Sequence, residues 1–151
     1  MNTNLKISIA SDHAGFELKS HLTDLLKSWG FEVRDFGPSD TTRCDYPQKA
    51  SLVAQDLLAQ NSQRGILICG SGIGMSIAAN RFSGIRAALA HSPYTAQMAR
   101  LHNDAQILCL GARILETAVA SEMLKIFLET EFEGERHAHR VAMLDQINQN
   151  H

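Results

Sequence analysis

The stretch from Gly65 to Asn80, GILICGSGIGMSIAAN, constrains this chain more than any other: an apolar strand ends in a cysteine and runs directly into a glycine-rich helix start. Ile66, Leu67 and Ile68 form a short apolar run with two β-branched members, which predicts a strand covered on both faces of a parallel sheet. Cys69 then falls at the carboxyl end of that strand. In Gly70, Ser71, Gly72, Ile73 and Gly74 the alternating glycines allow close backbone approach, so several N–H groups can face one anion or oxyanion. Met75 to Asn80 continue as helix, whose positive end adds to the same spot. The spacing is neither the dinucleotide G-x-G-x-x-G nor a P-loop, since no Gly-Lys-Ser/Thr follows. Taken alone, the turn fits an anion site or a plain strand-to-helix connection, and Cys69 a reactive or a merely packed thiol.

The rest of the chain extends this strand-then-helix unit. Leu5 to Ala10 reads as a first strand, and Phe16, Leu18, Leu22, Leu25 and Leu26 mark an amphipathic helix that Gly30 ends. Phe31 to Phe36 reads as a second strand, followed by a polar loop to Pro47 and a helix from Ala50 to Leu58. After the cysteine unit come a strand near Ile85 to Leu89, a helix from Pro93 to Leu101, a strand at Ile107 to Leu110 and a long helix beginning near Ile114. Alternation of this kind predicts an α/β fold, a three-layer Rossmann-like arrangement with a five-stranded parallel sheet flanked by helices. At 151 residues and 44% apolar composition, residues 1–151 suffice for a single domain with one substantial core.

Composition narrows the function classes. Fourteen basic against sixteen acidic side chains leave no cationic excess for tracking a nucleic-acid backbone. Cys44, Cys69 and Cys109 lack C-x-x-C spacing, which argues against a disulfide framework or thiolate zinc site and for a reducing cytoplasm. No apolar run reaches membrane-spanning length, and the amino terminus carries no signal-like segment.

In parallel α/β sheets ligands collect beyond the carboxyl ends of the strands. Asp12 and His13, the Asp45 to Pro47 loop, Cys69 with its glycine turn, and His91 all follow expected strands and can share that edge. Asp12 also suits a helix cap. His102 and Asn103 fall where a helix ends, so His102 fits proton transfer or a helix carboxyl cap. Arg136 and Arg140 would share one face of a helix, as a phosphate clamp or a solvated cationic strip. His137 and His139 raise the question of a metal, but an H-x-H pair aligns on a strand and not on a helix.

Six segments together carry a resemblance: SDHAGFELK from Ser11, DYP from Asp45, the Gly65 to Asn80 unit, ARLHNDA from Ala99, LGAR from Leu110 and FEGERHAHRV from Phe132. In that order they resemble the type B ribose-5-phosphate isomerase family, which also contains galactose-6-phosphate isomerase subunits and allose-6-phosphate isomerases. The resemblance implies interconversion of ribose 5-phosphate and ribulose 5-phosphate with no metal and no organic cofactor. It also implies a homodimer whose sites draw on both subunits, with the segment from about 132 to 151 contributing to the dimer; pairing of two dimers is left open.

Residue by residue, the resemblance assigns sugar-ring opening to His102 with Asp12 as acid–base partner, and the C2 proton to Cys69 as base through an enediolate. Cys69 needs thiolate character, which an N–H-rich turn and a helix amino terminus favour. The backbone donors of Gly70, Gly72, Ile73 and Gly74 would meet the enediolate oxygen, and Ser71 would assist proton exchange between sugar oxygens. Tyr46 would border the sugar and Asn103 would hydrogen-bond it. The phosphate would fall to His13, Arg113, Arg136 and Arg140. Relatives that lack the cysteine carry a glutamate base six residues later, where this chain has Met75. Glu135 stands where the family more often has glycine, beside Arg136, and could tune the phosphate site. Two other readings stay open: isomerisation of a six-carbon sugar phosphate, and a non-catalytic sugar-phosphate-binding module.

Overall fold

The computed structural model describes residues 1–147. Its five strands are β1 (Lys6–Ser11), β2 (Glu32–Asp35), β3 (Arg64–Cys69), β4 (Ala87–Leu89) and β5 (Ile107–Gly111). All pair in parallel, in the order β2-β1-β3-β5-β4. The helices are α1 (Phe16–Ser28), α2 (Tyr46–Leu58), α3 (Ile73–Asn80), α4 (Pro93–Leu101), α5 (Thr117–Glu129) and α6 (Arg136–Ile147). The three-layer α/β fold expected from the alternation is present.

Side-chain alternation along β3 builds the two faces. Ile66 and Ile68 join Ile7, Ile9, Leu22, Leu124 and Phe127 under α1, α4 and α5, whereas Leu67 and Cys69 join Val53, Ala54, Met75 and Ala79 under α2 and α3. Ile66, Leu67 and Ile68 are fully buried, and each such side chain removed from water is worth about 1.5–3 kcal/mol. The sheet therefore aims Cys69 at the α2/α3 layer by period-two geometry alone. A polar knot interrupts the apolar packing under α2: Asp56 of α2 accepts from Ser8 of β1 and from Ser62 (2.6 Å), and Arg34 of β2 closes an ion pair at 3.1 Å.

Element boundaries depart from the sequence reading most in three places, while β2 and β4 are one or two residues shorter at their ends than expected. A 3-10 turn, His13–Gly15, precedes α1. Helix α2 starts at Tyr46, with Pro47 in its first turn where a missing N–H costs nothing. Helix α5 starts at Thr117 and not near Ile114, because the intervening backbone is spent on the cysteine turn. Ala112 N–H donates to Cys69 O (2.9 Å) and Arg113 N–H to Gly70 O (3.0 Å). Of the carboxyl segment expected at a dimer contact, residues 148–151 lie outside the described residues.

Candidate active site

The connection from β1 to β2 leaves in one direction along the sheet and that from β3 in the other, so a crevice opens between the carboxyl ends of β1 and β3. Asp12 follows β1 and Cys69 ends β3. A cleft of about 600 Å³ opens there, walled by both residues and by Tyr46, Gly70, Ser71 and Arg113. Ile73 and Gly74 from the start of α3 complete the part of its lining that the sequence pointed to.

Asp12 serves as the cap and as a cleft wall at once. Its Oδ1 accepts from Ala14 N–H (3.0 Å) and Gly15 N–H (3.2 Å), which fixes the carboxylate at the cleft. Cys69 is 5% exposed, and its Sγ accepts from Gly72 N–H at 3.2 Å. Gly72 holds φ +79, and a Cβ there would fall 2.7 Å from Leu89 Cδ1, so only glycine closes this turn. Gly74 packs beneath the Tyr46 ring, where a Cβ would fall 2.6 Å from Cζ.

The N–H donors of the turn are not all open to an oxyanion, and this refines the sequence expectation. Gly72 N–H is used on Cys69, and Ile73 N–H donates to Ser71 Oγ at 3.2 Å. Gly72 has no side chain to cap α3, so the first-turn N–H groups of Gly74 and Met75 face no capping side chain. Met75 itself is fully buried beside Cys69 and presents no acid–base group to the cleft. Cys109 is also inert: burial, and then the neighbouring Cys69, push its thiol well above the usual cysteine range.

His13 sits at the same edge, half-buried, with Cys44 N–H donating to its Nδ1 at 3.3 Å. It is not one of the residues that wall the cleft, and neither is the exposed His91, which leads into the capping box of α4. The sequence reading missed Ile77 and Ile114, which extend the cleft as exposed apolar walls. Ile77 follows Ile73 by one helical turn, which was the available signal.

His102, Asn103, Arg136 and Arg140 are assembled elsewhere. Helix α4 leaves β4 at the carboxyl edge and returns to the start of β5, so His102 and Asn103 lie at the amino edge of the sheet. Glu133 N–H donates to Leu101 O (3.0 Å), and Arg86 pairs with Asp145 of α6 (2.7 Å), which brings α6 to that edge. Within one chain His102 is thus separated from Cys69 by the length of β5, roughly 17 Å at a strand's rise per residue.

At the amino edge His102 stacks on His137, with ring centroids 4.1 Å apart and planes 14° from parallel. Glu133 Oε2 lies 3.8 Å from His102 Nε2 and 3.5 Å from His137 Nε2. The sequence reading missed Glu133 and passed over His137 as half of a pair with His139. The usable signal was the i, i+4 spacing of Glu133 and His137. On the helix His137 is buried and His139 exposed, so those two do not converge. The donor atoms of His102, Glu133 and His137 do lie within 4.8 Å of one another. Imidazole lone pairs lie in the ring plane, however, and two stacked rings direct them side by side and not toward one cation. One ring would have to turn before a metal could be chelated.

Comparison with known proteins decides the family. A model of the Ribose/Galactose Isomerase family matches residues 7–144. The chain belongs to the ribose/galactose isomerase family. Among members of that family, the ribose-5-phosphate isomerase B of Escherichia coli is 42% identical to this chain over 144 residues, which cover 95% of this chain and 97% of that enzyme. The ribose-5-phosphate isomerase B of Clostridium thermocellum superposes with a TM-score of 0.95 at 44% identity, over 97% of this chain and 99% of that one. The Mycoplasma genitalium enzyme, solved with bound ribulose-5-phosphate, superposes with a TM-score of 0.92 at 38% identity, over 97% of each chain. Among the described residues no helix is long and apolar enough to cross a membrane.

Proposed function

We propose that the protein is an aldose–ketose isomerase that interconverts D-ribose 5-phosphate and D-ribulose 5-phosphate through an enediolate. The observation that carries this reading is Cys69 at the wall of the crevice, held by Gly72 N–H, in a member of the ribose/galactose isomerase family. The likeness to an enzyme solved with bound ribulose-5-phosphate supports the sugar assignment.

In this reading the Cys69 thiolate takes the proton from C2 of the open-chain sugar. The electron pair moves into the enediolate, and the same proton returns to C1. Free N–H groups at the start of α3 meet the oxygen that gains charge, where one such donor is worth about 3 kcal/mol in comparable sites. Asp12 and His102 exchange protons with the ring and anomeric oxygens, Ser71 with the chain oxygens, and Asn103 and Tyr46 hold the sugar. His13, Arg113, Arg136 and Arg140 take the phosphate.

His102 and the α6 arginines lie at the opposite sheet edge from Cys69, which supports a homodimer with each site built from two copies. The exposed Met143, Leu144 and Ile147 of α6 support a share for that helix in the contact. Three free cysteines, two of them buried, support a reducing cytoplasm.

The test follows the C2 proton. Incubation with ribose 5-phosphate in deuterated water should yield ribulose 5-phosphate with isotope exchange that Cys69→Ala abolishes. Ligand binding without turnover or exchange would leave only a binding module. Ratios of kcat/KM against allose 6-phosphate and galactose 6-phosphate separate five-carbon from six-carbon preference.

A further inference from the structure

The stacked imidazoles at the amino edge contain a nitrogen with two suitors. His137 Nε2 accepts from Arg136 Nε at 3.4 Å, and the same atom lies 3.5 Å from Glu133 Oε2. A nitrogen that accepts from Arg136 has no proton to give Glu133, and a protonated one cannot accept. The two contacts are therefore alternatives set by one proton.

We propose that His137 is a positioning residue: its ring is the wall against which His102 lies, and its Nε2 is the acceptor that orients Arg136 for a phosphate group. This rests on the isomerase reading for the roles of His102 and Arg136. The groups facing His137 are His102 from the end of α4, Glu133 from the segment before α6, and Arg136 and Arg140 from α6. Burial first, then the proximity of His102 and of the Arg136 guanidinium, hold the His137 ring below the usual histidine range; Arg140 adds to them and Glu133 opposes them. The neutral Nδ1–H tautomer leaves Nε2 free for the guanidinium. Because the Arg136 fork is then fixed before substrate arrives, less side-chain freedom is lost when a phosphate binds.

The stack and the acceptor can be removed separately. His137→Phe keeps a flat ring against His102 and deletes the acceptor. Its KM for ribose 5-phosphate and its dissociation constant for inorganic phosphate should rise about 5–10-fold with kcat held within about twofold. His137→Asn keeps a short polar side chain that can accept and deletes the ring, so its loss should fall on kcat. In the intact protein, nitrogen NMR at neutral pH should show His137 with Nδ1 protonated and Nε2 bare. A protonated Nε2, or equal losses of kcat and phosphate affinity in both variants, overturns the proposal. Wild-type protein that binds phosphate but turns over no sugar would overturn the isomerase reading instead, and the tautomer and phosphate titration would still decide this one. If either variant fails to fold, the wild-type tautomer alone decides between the two outcomes.

Discussion

The Gly72 N–H donates to Cys69 Sγ at 3.2 Å, so the residue that closes the glycine turn also fixes the sulfur at its mouth. Cys69→Ser preserves an acceptor for that N–H and nearly the same volume, so the turn should survive. Removal of a positioned base typically costs a factor of about 10²–10⁴ in rate, and kcat for ribose 5-phosphate should fall into that range. Circular dichroism melts of wild type and variant should agree to within a few degrees. A Cys69→Ser enzyme with near-normal turnover would remove the sulfur from the mechanism.

Tyr46 and Gly74 are tied by exclusion. A methyl group at Gly74 would fall 2.6 Å from Tyr46 Cζ, and Tyr46 is 39% exposed, so the ring can swing outward at little cost to the core. Gly74→Ala should therefore lower kcat/KM, by about tenfold if the ring borders the sugar. Stability should hold or rise by up to about 1 kcal/mol, because alanine is the better helix former. In a Tyr46→Ala background the same change should cost almost nothing further. A double-mutant cycle on kcat/KM measures that non-additivity directly.

Local pattern explains what was legible in the sequence. A short apolar run, a glycine after a strand's last residue and an apolar helix face each depend on neighbours in the chain, so β1, β3, α1 and the Cys69 turn are visible in the order of the residues alone. Asp12 and Cys69 could be placed together because parallel strands bring their carboxyl ends to one edge. The delayed start of α5 could not, since it depends on Arg113 N–H finding Gly70 O across the sheet. The same holds for the amino-edge cluster. Glu133 and His137 stand at i, i+4 spacing, but His102 meets them only because α6 folds back and Arg86 pairs with Asp145, 59 residues away in sequence. Contacts of that range leave no periodic trace.

Glu135 shows a local conflict between residue and backbone. It holds φ +48, in the left-handed region that favours glycine. The glycine that the family resemblance expects there is thus explained by backbone geometry, and the glutamate stands in a strained conformation. Glu135→Gly should raise stability by about 0.5–1 kcal/mol, seen as an increase of a few degrees in Tm. The change also removes a carboxylate next to Arg136, so KM for a sugar phosphate should fall or stay level. A lower Tm would show that the side chain contributes more than its backbone strain costs.

Asp56 gives the fold a defined acid response. Burial works to raise its carboxyl, but hydrogen bonds from Ser62, Ser8 and Asn61 and the Arg34 charge outweigh it and hold the group below the usual range. With the folded value lowered, the stability it contributes is present above the unfolded carboxyl value, about 3.9, and is lost as pH falls through the folded value. Asp56→Asn should destabilise the protein by about 1–3 kcal/mol at pH 7. The gap between the two proteins should narrow as pH falls toward 3. Urea titrations at both pH values measure it, and a gap that is independent of pH would assign the effect to packing.

A shared site makes a prediction that no single-chain site can satisfy. Cys69→Ala and His102→Ala should each be nearly inactive, because each removes one half of every site. In a mixed dimer, the Cys69 of the His102→Ala chain faces the His102 of the Cys69→Ala chain, and that site is intact. The reciprocal site carries both substitutions and is dead. Random exchange of subunits makes about half of the dimers mixed, each with one working site of two, so activity should return to about a quarter of wild type. Denaturing the two variants together and refolding them by dilution gives that exchange, with each variant refolded alone as the control. No recovery from correctly refolded, dimeric mixtures would mean that His102 and Cys69 do not serve one site, and the roughly 17 Å between the two sheet edges would then separate two unrelated features of the surface.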